Sequence, residues 1–175
     1  MLYTYLWTFF LFAFLGWCSE VVFAAIQQRR FVNRGFLNGP LCPIYGIGVV
    51  AIDFLLRPFQ GNLPVLLVGG MLLGSALEYL VGFFLEKLFH QKWWDYSDQP
   101  HNLHGYICLK FSVLWGVAGA LIVRYITPFT HGLFSRIPTP LGWILLAVLG
   151  GLLLADFLVT AIGLGISLVL GLALA

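Results

Sequence analysis

The 175-residue chain is 61% hydrophobic and only 9% charged, where soluble domains carry about 25% charged residues. A soluble fold must coat its surface with polar groups, and this chain has too few; a bilayer removes that demand. A net charge of +2, with nine basic residues and no polybasic run, argues against a nucleic-acid partner.

A membrane span needs roughly 20 mostly apolar residues. The first runs from about Leu2 to Ile26 and reads as a retained helix, because it lacks a basic leader and a small-residue cleavage signature. A polar stretch, Gln27 to Arg34, follows. The second span, about Pro43 to Phe59, is short, and the third covers about Leu63 to Phe89. A long aromatic and polar connection, His90 to His104, leads to a fourth span of about Gly105 to Ile126. A turn-rich stretch with Pro128, Pro138 and Pro140 precedes a last apolar run from about Leu141 to Ala175. That run exceeds one span, so a tilt or a break near Gly163 and Gly165 is expected.

With five spans, Arg29, Arg30, Arg34, Lys87, Lys92 and Lys110 collect on one side, and Arg57, Arg124 and Arg136 on the other. The excess marks the first side as cytoplasmic. The expected arrangement is a multi-pass cell-membrane protein with its N-terminus outside and its C-terminus in the cytoplasm.

Two stretches echo each other. Gly16-x-x-x-Glu20 and then Leu37-Asn38-Gly39-x-Leu41-Cys42 are matched by Gly74-x-x-x-Glu78 and then Leu103-His104-Gly105-x-Ile107-Cys108. The expected fold is therefore an all-α membrane protein with about five transmembrane helices in a single transmembrane domain. Two parallel helix-pair repeats, about 1–59 and 63–126, are followed by a C-terminal helix, about 141–175.

Ionisable groups inside hydrocarbon cost about 2.5–3.5 kcal/mol each on insertion scales, so each needs a reason. Asp53 and Arg57 are four apart and can pair on one helix face. Glu20, Glu78, Lys110 and Asp156 fall at comparable depths in the cytoplasmic half. They are expected to gather as a polar cluster, either as an ion-paired packing node or as a site for a cation, a proton or a polar head group.

The stretch from Asn33 to Gly46 holds two prolines and three glycines among apolar residues. It opposes continuous helix yet is unsuited to water, so irregular backbone dipping into the membrane is expected. The next helix would then begin at membrane depth, its free N–H groups suiting an anion or a carbonyl dipole, with Asn38 and Arg34 as side-chain donors. The alternative is a tight turn that simply caps the helix. Trp93, Trp94 and Tyr96 read as interface anchors. His101 and His104 lie near Asp98 and Cys108, but no CxxC or HExxH pattern supports a metal, and no cofactor is expected. The three cysteines, Cys18, Cys42 and Cys108, are an odd number in or near apolar segments and read as buried thiols, not a disulfide framework.

Several of these pieces resemble one family, the ABC-transporter permeases of type IV. They are Gly16-Trp17-x-x-Glu20, the run Asn33-Arg34-Gly35-Phe36-Leu37-x-Gly39-Pro40-x-Cys42-Pro43-x-Tyr45-Gly46, then Glu78, Trp94-Asp95-Tyr96-Ser97 and Asn102-x-x-Gly105-x-x-Cys108. The resemblance covers about residues 5 to 120; the last helix matches only in character. It implies a membrane component of a solute transporter driven by a separate ATPase subunit, and no catalytic or substrate residue comes with it. The chain has no Walker motif, so any ATP hydrolysis belongs to a partner. Five helices enclose little volume, which points to a homo-oligomer.

Three functions stay open. A permease or small transporter would use Glu20, Asn38, Glu78, His104 and Lys110, with Arg34 and Asp156 close by. A membrane enzyme acting on lipid would use Cys42 or Cys108 as nucleophile, with His104 one helical turn before Cys108, or a glutamate–histidine pair for proton transfer. A non-catalytic assembly or regulatory subunit would use the buried polar groups for helix packing alone.

Overall fold

The computed structural model describes residues 1–33 and 35–169. Five helices follow one another: α1 (Leu2–Gln28), α2 (Pro43–Leu56), α3 (Leu63–Phe89), α4 (Leu109–Phe134) and α5 (Thr139–Val169). All but α2 are long and apolar enough to cross a membrane. The 14 residues of α2 reach only about 21 Å at 1.5 Å per residue, short of a 30 Å hydrocarbon core. Large apolar side chains such as Val22, Phe54, Val68, Leu72, Phe84 and Val159 face outward on these helices. In water that would be a liability; in lipid it is the solvated state.

Local signals set the helix ends. Pro43 opens α2, where its missing N–H would have had no partner anyway. The side chain of Asn62 caps α3 by accepting from the Val65 N–H at 3.2 Å. Arg29 and His90 end α1 and α3 in the left-handed region, both at φ 53°.

Helix α2 begins halfway along α1. The Cys42 N–H donates to the Ala13 carbonyl at 2.9 Å, and Gly46 sits against the Phe9 backbone, where a Cβ would meet the carbonyl oxygen at 2.5 Å. From there α2 runs back toward the start of α1, so that Phe54 meets Tyr5 at 6.0 Å between rings. Residues 29–33 and 35–42 must therefore fold back along the second half of α1, and the Trp17 indole donates to the Asn33 side chain at 2.9 Å. This is the irregular backbone expected from its prolines and glycines, covered on one side by α1.

The connection 90–108 does the same along α3. A short antiparallel hairpin pairs β1 (Asn102–Leu103) with β2 (Ile107–Cys108). Its turn passes through His104 at φ 55° and Gly105 at φ 73°. The Trp94 indole donates to the Tyr106 carbonyl at 2.9 Å, and Tyr96 stacks on Phe111 with centroids 4.7 Å apart. Trp94 and Tyr96 thus hold this segment onto α3 and α4. The hairpin also separates His104 from Cys108, which sequence spacing alone would have placed one helical turn apart.

In the second half of the chain one expectation fails and one alternative is removed. The fourth helix runs through Pro128 to Phe134 instead of ending near Ile126. The stretch Ile122–Ile126 is π-helical, the wider winding that accommodates a proline lacking its N–H, and the Thr127 hydroxyl sits 3.0 Å from the Ile122 carbonyl. Helix α5 shows no break at Gly163 or Gly165 and is continuous to Val169. In lipid the intact backbone ladder outweighs the modest helix cost of two glycines.

The main apolar core joins α2, α3 and α4 through Ile52, Leu56, Leu66, Ala120 and Val123, with Trp115 packed on it. Above it lies a closed polar network. Arg57 donates to Asp53 Oδ2 from Nη2 at 2.6 Å and from Nε at 3.2 Å, the i,i+4 pair expected from the sequence. The Thr127 hydroxyl supplies Asp53 Oδ1 at 2.5 Å. His131 Nδ1 faces Arg57 Nη2 at 3.0 Å, and its Nε2 lies 3.2 Å from Thr8 Oγ1. Because Thr8 donates to the Thr4 carbonyl, its lone pairs are left for Nε2–H, which fixes the neutral tautomer with Nδ1 as acceptor.

Candidate functional site

The two sequence-flagged glutamates come together where α1, α2, α3 and α4 meet. Each is built the same way. Gly16 lets the Tyr45 ring lie flat on α1, where a Cβ would fall 2.3 Å from the ring's Cγ. One turn on, Glu20 accepts the Tyr45 hydroxyl at 2.6 Å. Gly74 lets Trp115 lie on α3, again with a Cβ position 2.3 Å from the ring's Cγ, and one turn on comes Glu78, with the Trp115 indole beside its carboxyl. The Tyr45 and Trp115 rings are themselves 6.0 Å apart.

Glu78 is 9% exposed. Its Oε1 accepts the Tyr96 hydroxyl at a long 3.4 Å, and its Oε2 has no hydrogen-bond partner among the described residues. Glu20 lies within electrostatic range of both Glu78 and Tyr96. A buried carboxyl with one unsatisfied oxygen, within electrostatic range of a second carboxylate, is costly to build for packing alone.

Asn38 and Asp156 form a second, separate pair. The Asp156 carboxylate on α5 reaches the dipping segment and takes the Asn38 N–H at 3.2 Å on Oδ1 and the Gly39 N–H at 2.8 Å on Oδ2. The Asn38 amide adds bonds to Asp156 Oδ1 at 3.2 Å and to the Thr160 hydroxyl at 2.7 Å. The sequence offered an anion the free N–H groups of the next helix, with Asn38 as a side-chain donor; Asn38 does donate, but to the chain's own aspartate, and the backbone N–H groups that join it precede α2.

The remaining sequence candidates lie elsewhere. His104 is exposed at the hairpin turn, with Nδ1 2.9 Å from the Tyr79 hydroxyl. Lys110 is exposed at the start of α4, its Nζ 5.6 Å from the Phe111 centroid, and it makes no carboxylate ion pair among the described residues. The expected cluster of three carboxylates and one ammonium is thus divided: two glutamates, a clamped aspartate and an outlying lysine. Arg34 lies outside the described residues. Cys42 and Cys108 are buried where α2 and α4 begin.

Sequence reasoning missed Tyr45, Tyr96 and Trp115 as partners of the glutamates. Tyr45 lay inside the Asn33–Gly46 run, and Tyr96 inside Trp94-Asp95-Tyr96-Ser97. Both motifs were visible; which glutamate each ring serves depends on how two irregular segments fold back.

No solved structure matches this chain. The profile of the family described as "Putative ABC-transporter type IV" matches residues 7–161, and so spans both glutamates, both dipping segments and Asp156. The chain is a multi-pass membrane protein that belongs to the ABC-transporter type IV family.

Proposed function

We propose that this chain is a permease, the membrane-embedded component of a small transporter driven by a separate ATPase subunit. Its transport centre is the polar site between α1 and α3. The observation that carries this reading is the Glu78 carboxyl, buried beside Glu20 with Oε2 unsatisfied. Glu20 and Glu78 hold a cation, a proton or a polar group of the solute, while Tyr45 and Tyr96 orient them. The pairing of Gly16/Glu20/Tyr45 with Gly74/Glu78/Trp115 supports two parallel repeats meeting at this centre. The excess of Lys and Arg supports a cytoplasmic opening for both dipping segments and an outside N-terminus. Because five helices enclose little volume, the working unit is an oligomer.

The test is purification of the full chain from native membranes in mild detergent, followed by reconstitution in liposomes. An ATP-binding-cassette ATPase should co-purify in fixed ratio, and the complex should hydrolyse ATP. Glu20→Gln and Glu78→Gln should each lower that hydrolysis by about tenfold or more, without reducing the amount of complex. Failure to recover an ATPase sinks the permease reading. Unchanged hydrolysis in both variants removes the glutamates from the mechanism, and loss of the complex returns them to packing.

A further inference from the structure

The backbone at Asn38–Gly39 has the chemistry of a carboxylate receptor. Two successive N–H groups are spread across the two oxygens of Asp156, the Gly39 N–H on Oδ2 at 2.8 Å and the Asn38 N–H on Oδ1 at 3.2 Å. The Asn38 side-chain amide, also at 3.2 Å, and the Thr160 hydroxyl at 3.4 Å complete the shell on Oδ1. Gly39 permits the approach, because a Cβ there would sit 2.9 Å from Oδ2. Successive amides of this kind form an anion-binding concavity. They lie in a segment folded back against the middle of α1, with Asn38 itself exposed and Gly39 half-buried.

The helix that supplies the anion is lightly attached. Only 11% of the apolar window of α5 is buried. Apart from the clamp, its aromatic contacts are Trp143 on Tyr3, at 5.4 Å between centroids, and Phe157 on Phe36, at 5.8 Å. The receptor belongs to the folded-back segment, whereas its occupant rides on a helix with little else to hold it.

We propose that Asn38–Gly39 is a carboxylate-binding site which Asp156 fills in cis, and that a carboxylate ligand replaces it when α5 moves aside. This site is distinct from the glutamate centre and stands whether or not that centre transports anything. The ligand class is a monocarboxylate, either a small soluble acid or the head of a fatty-acid-like amphiphile lying along the apolar face of α5.

Chemical rescue tests this in the full-length chain. Asp156→Ala should lower Tm by roughly 5 °C by leaving the donors unsatisfied. Sodium formate or acetate should restore at least half of that fall, relative to sodium chloride at equal ionic strength. Wild type should not respond, and Asp156→Ala combined with Asn38→Ala should respond less. Decanoate against acetate names the source: whichever restores Tm at the lower concentration is the closer mimic, and rescue by either supports the site. If Asp156→Ala is poorly recovered, the yield of monodisperse protein extracted in formate against chloride is the readout. Equal recovery in the two salts, at whatever level, overturns the proposal, as does a Tm response of equal size in wild type.

Discussion

Asp53 and Glu78 are both buried carboxylates on helices of one bundle, at 0% and 9% exposure, yet their surroundings differ in kind. Around Asp53 every oxygen is used: a guanidinium on Oδ2, a threonine hydroxyl on Oδ1, and a neutral histidine buttressing the arginine. Charge is neutralised locally and the network closes on itself, as a packing device should. Around Glu78 no cation pairs with the carboxyl among the described residues: a second carboxylate lies within electrostatic range, Oε1 has one long bond from Tyr96, and Oε2 has only the Trp115 indole near the carboxyl. On the function proposed above, this is the carboxyl that a transported group would meet.

The largest effect should come from opening the closed network. Asp53→Asn leaves the Arg57 guanidinium without its counter-charge and should cost about 3 kcal/mol in reversible unfolding in detergent. A cost under about 1 kcal/mol would mean that the network is not structural, and the contrast with Glu78 would collapse. Next in size is Gly74→Val. Its side chain must displace the Trp115 ring, and the expected loss is about 1–3 kcal/mol. Gly163→Ala, where a Cβ meets nothing within 4 Å, is the control and should be neutral or slightly stabilising. Equal outcomes for the two glycines would show that the ring does not need the bare α3 surface.

Glu78→Gln should change stability by less than about 1 kcal/mol, with the sign toward neutral or stabilising, because it removes a like charge and leaves an amide oxygen to accept from the Tyr96 hydroxyl. Set beside Asp53→Asn, this is the direct measure of the difference between the regions. If both isosteric amides destabilise equally, Glu78 is a packing group like Asp53.

The helices and their order were legible because lipid demands long apolar runs, and those runs dominate the composition. The Asp53–Arg57 pair was legible because it is local, four residues along one helix. Its third member, His131, was not, since helix α4 continues through Pro128 on a π-helical turn that no spacing announces. The glutamates were legible as anomalies in hydrocarbon, but Lys110 was grouped with them by depth alone; depth fixes height in the membrane and says nothing of azimuth around the bundle. The partners Tyr45, Tyr96 and Trp115 depend on two segments folding back, where local propensity is weak and tertiary contact decides.

Asp95 completes the series as a carboxylate in neither kind of site, and it should show the smallest effect. It lies outside the spans, in the connection before the hairpin. The Ser97 hydroxyl at 2.5 Å and the Ser97 N–H at 2.9 Å hold its carboxyl below the usual range, with Lys92 adding charge at 3.5 Å. A depressed folded value means that the ionised form is the one favoured by folding. The contribution is therefore present above the ordinary aspartate value, about 3.9, and disappears as pH falls through the lower folded one. Ser97→Ala should move the Asp95 titration upward toward the ordinary value, read by NMR of a carboxyl-labelled sample, with no measurable change in stability at neutral pH. If Lys92→Ala moves it further than Ser97→Ala does, charge and not hydrogen bonding sets this carboxylate. Asp95 would then be closer in kind to Asp53, which is paired with a cation, than the loop geometry implies.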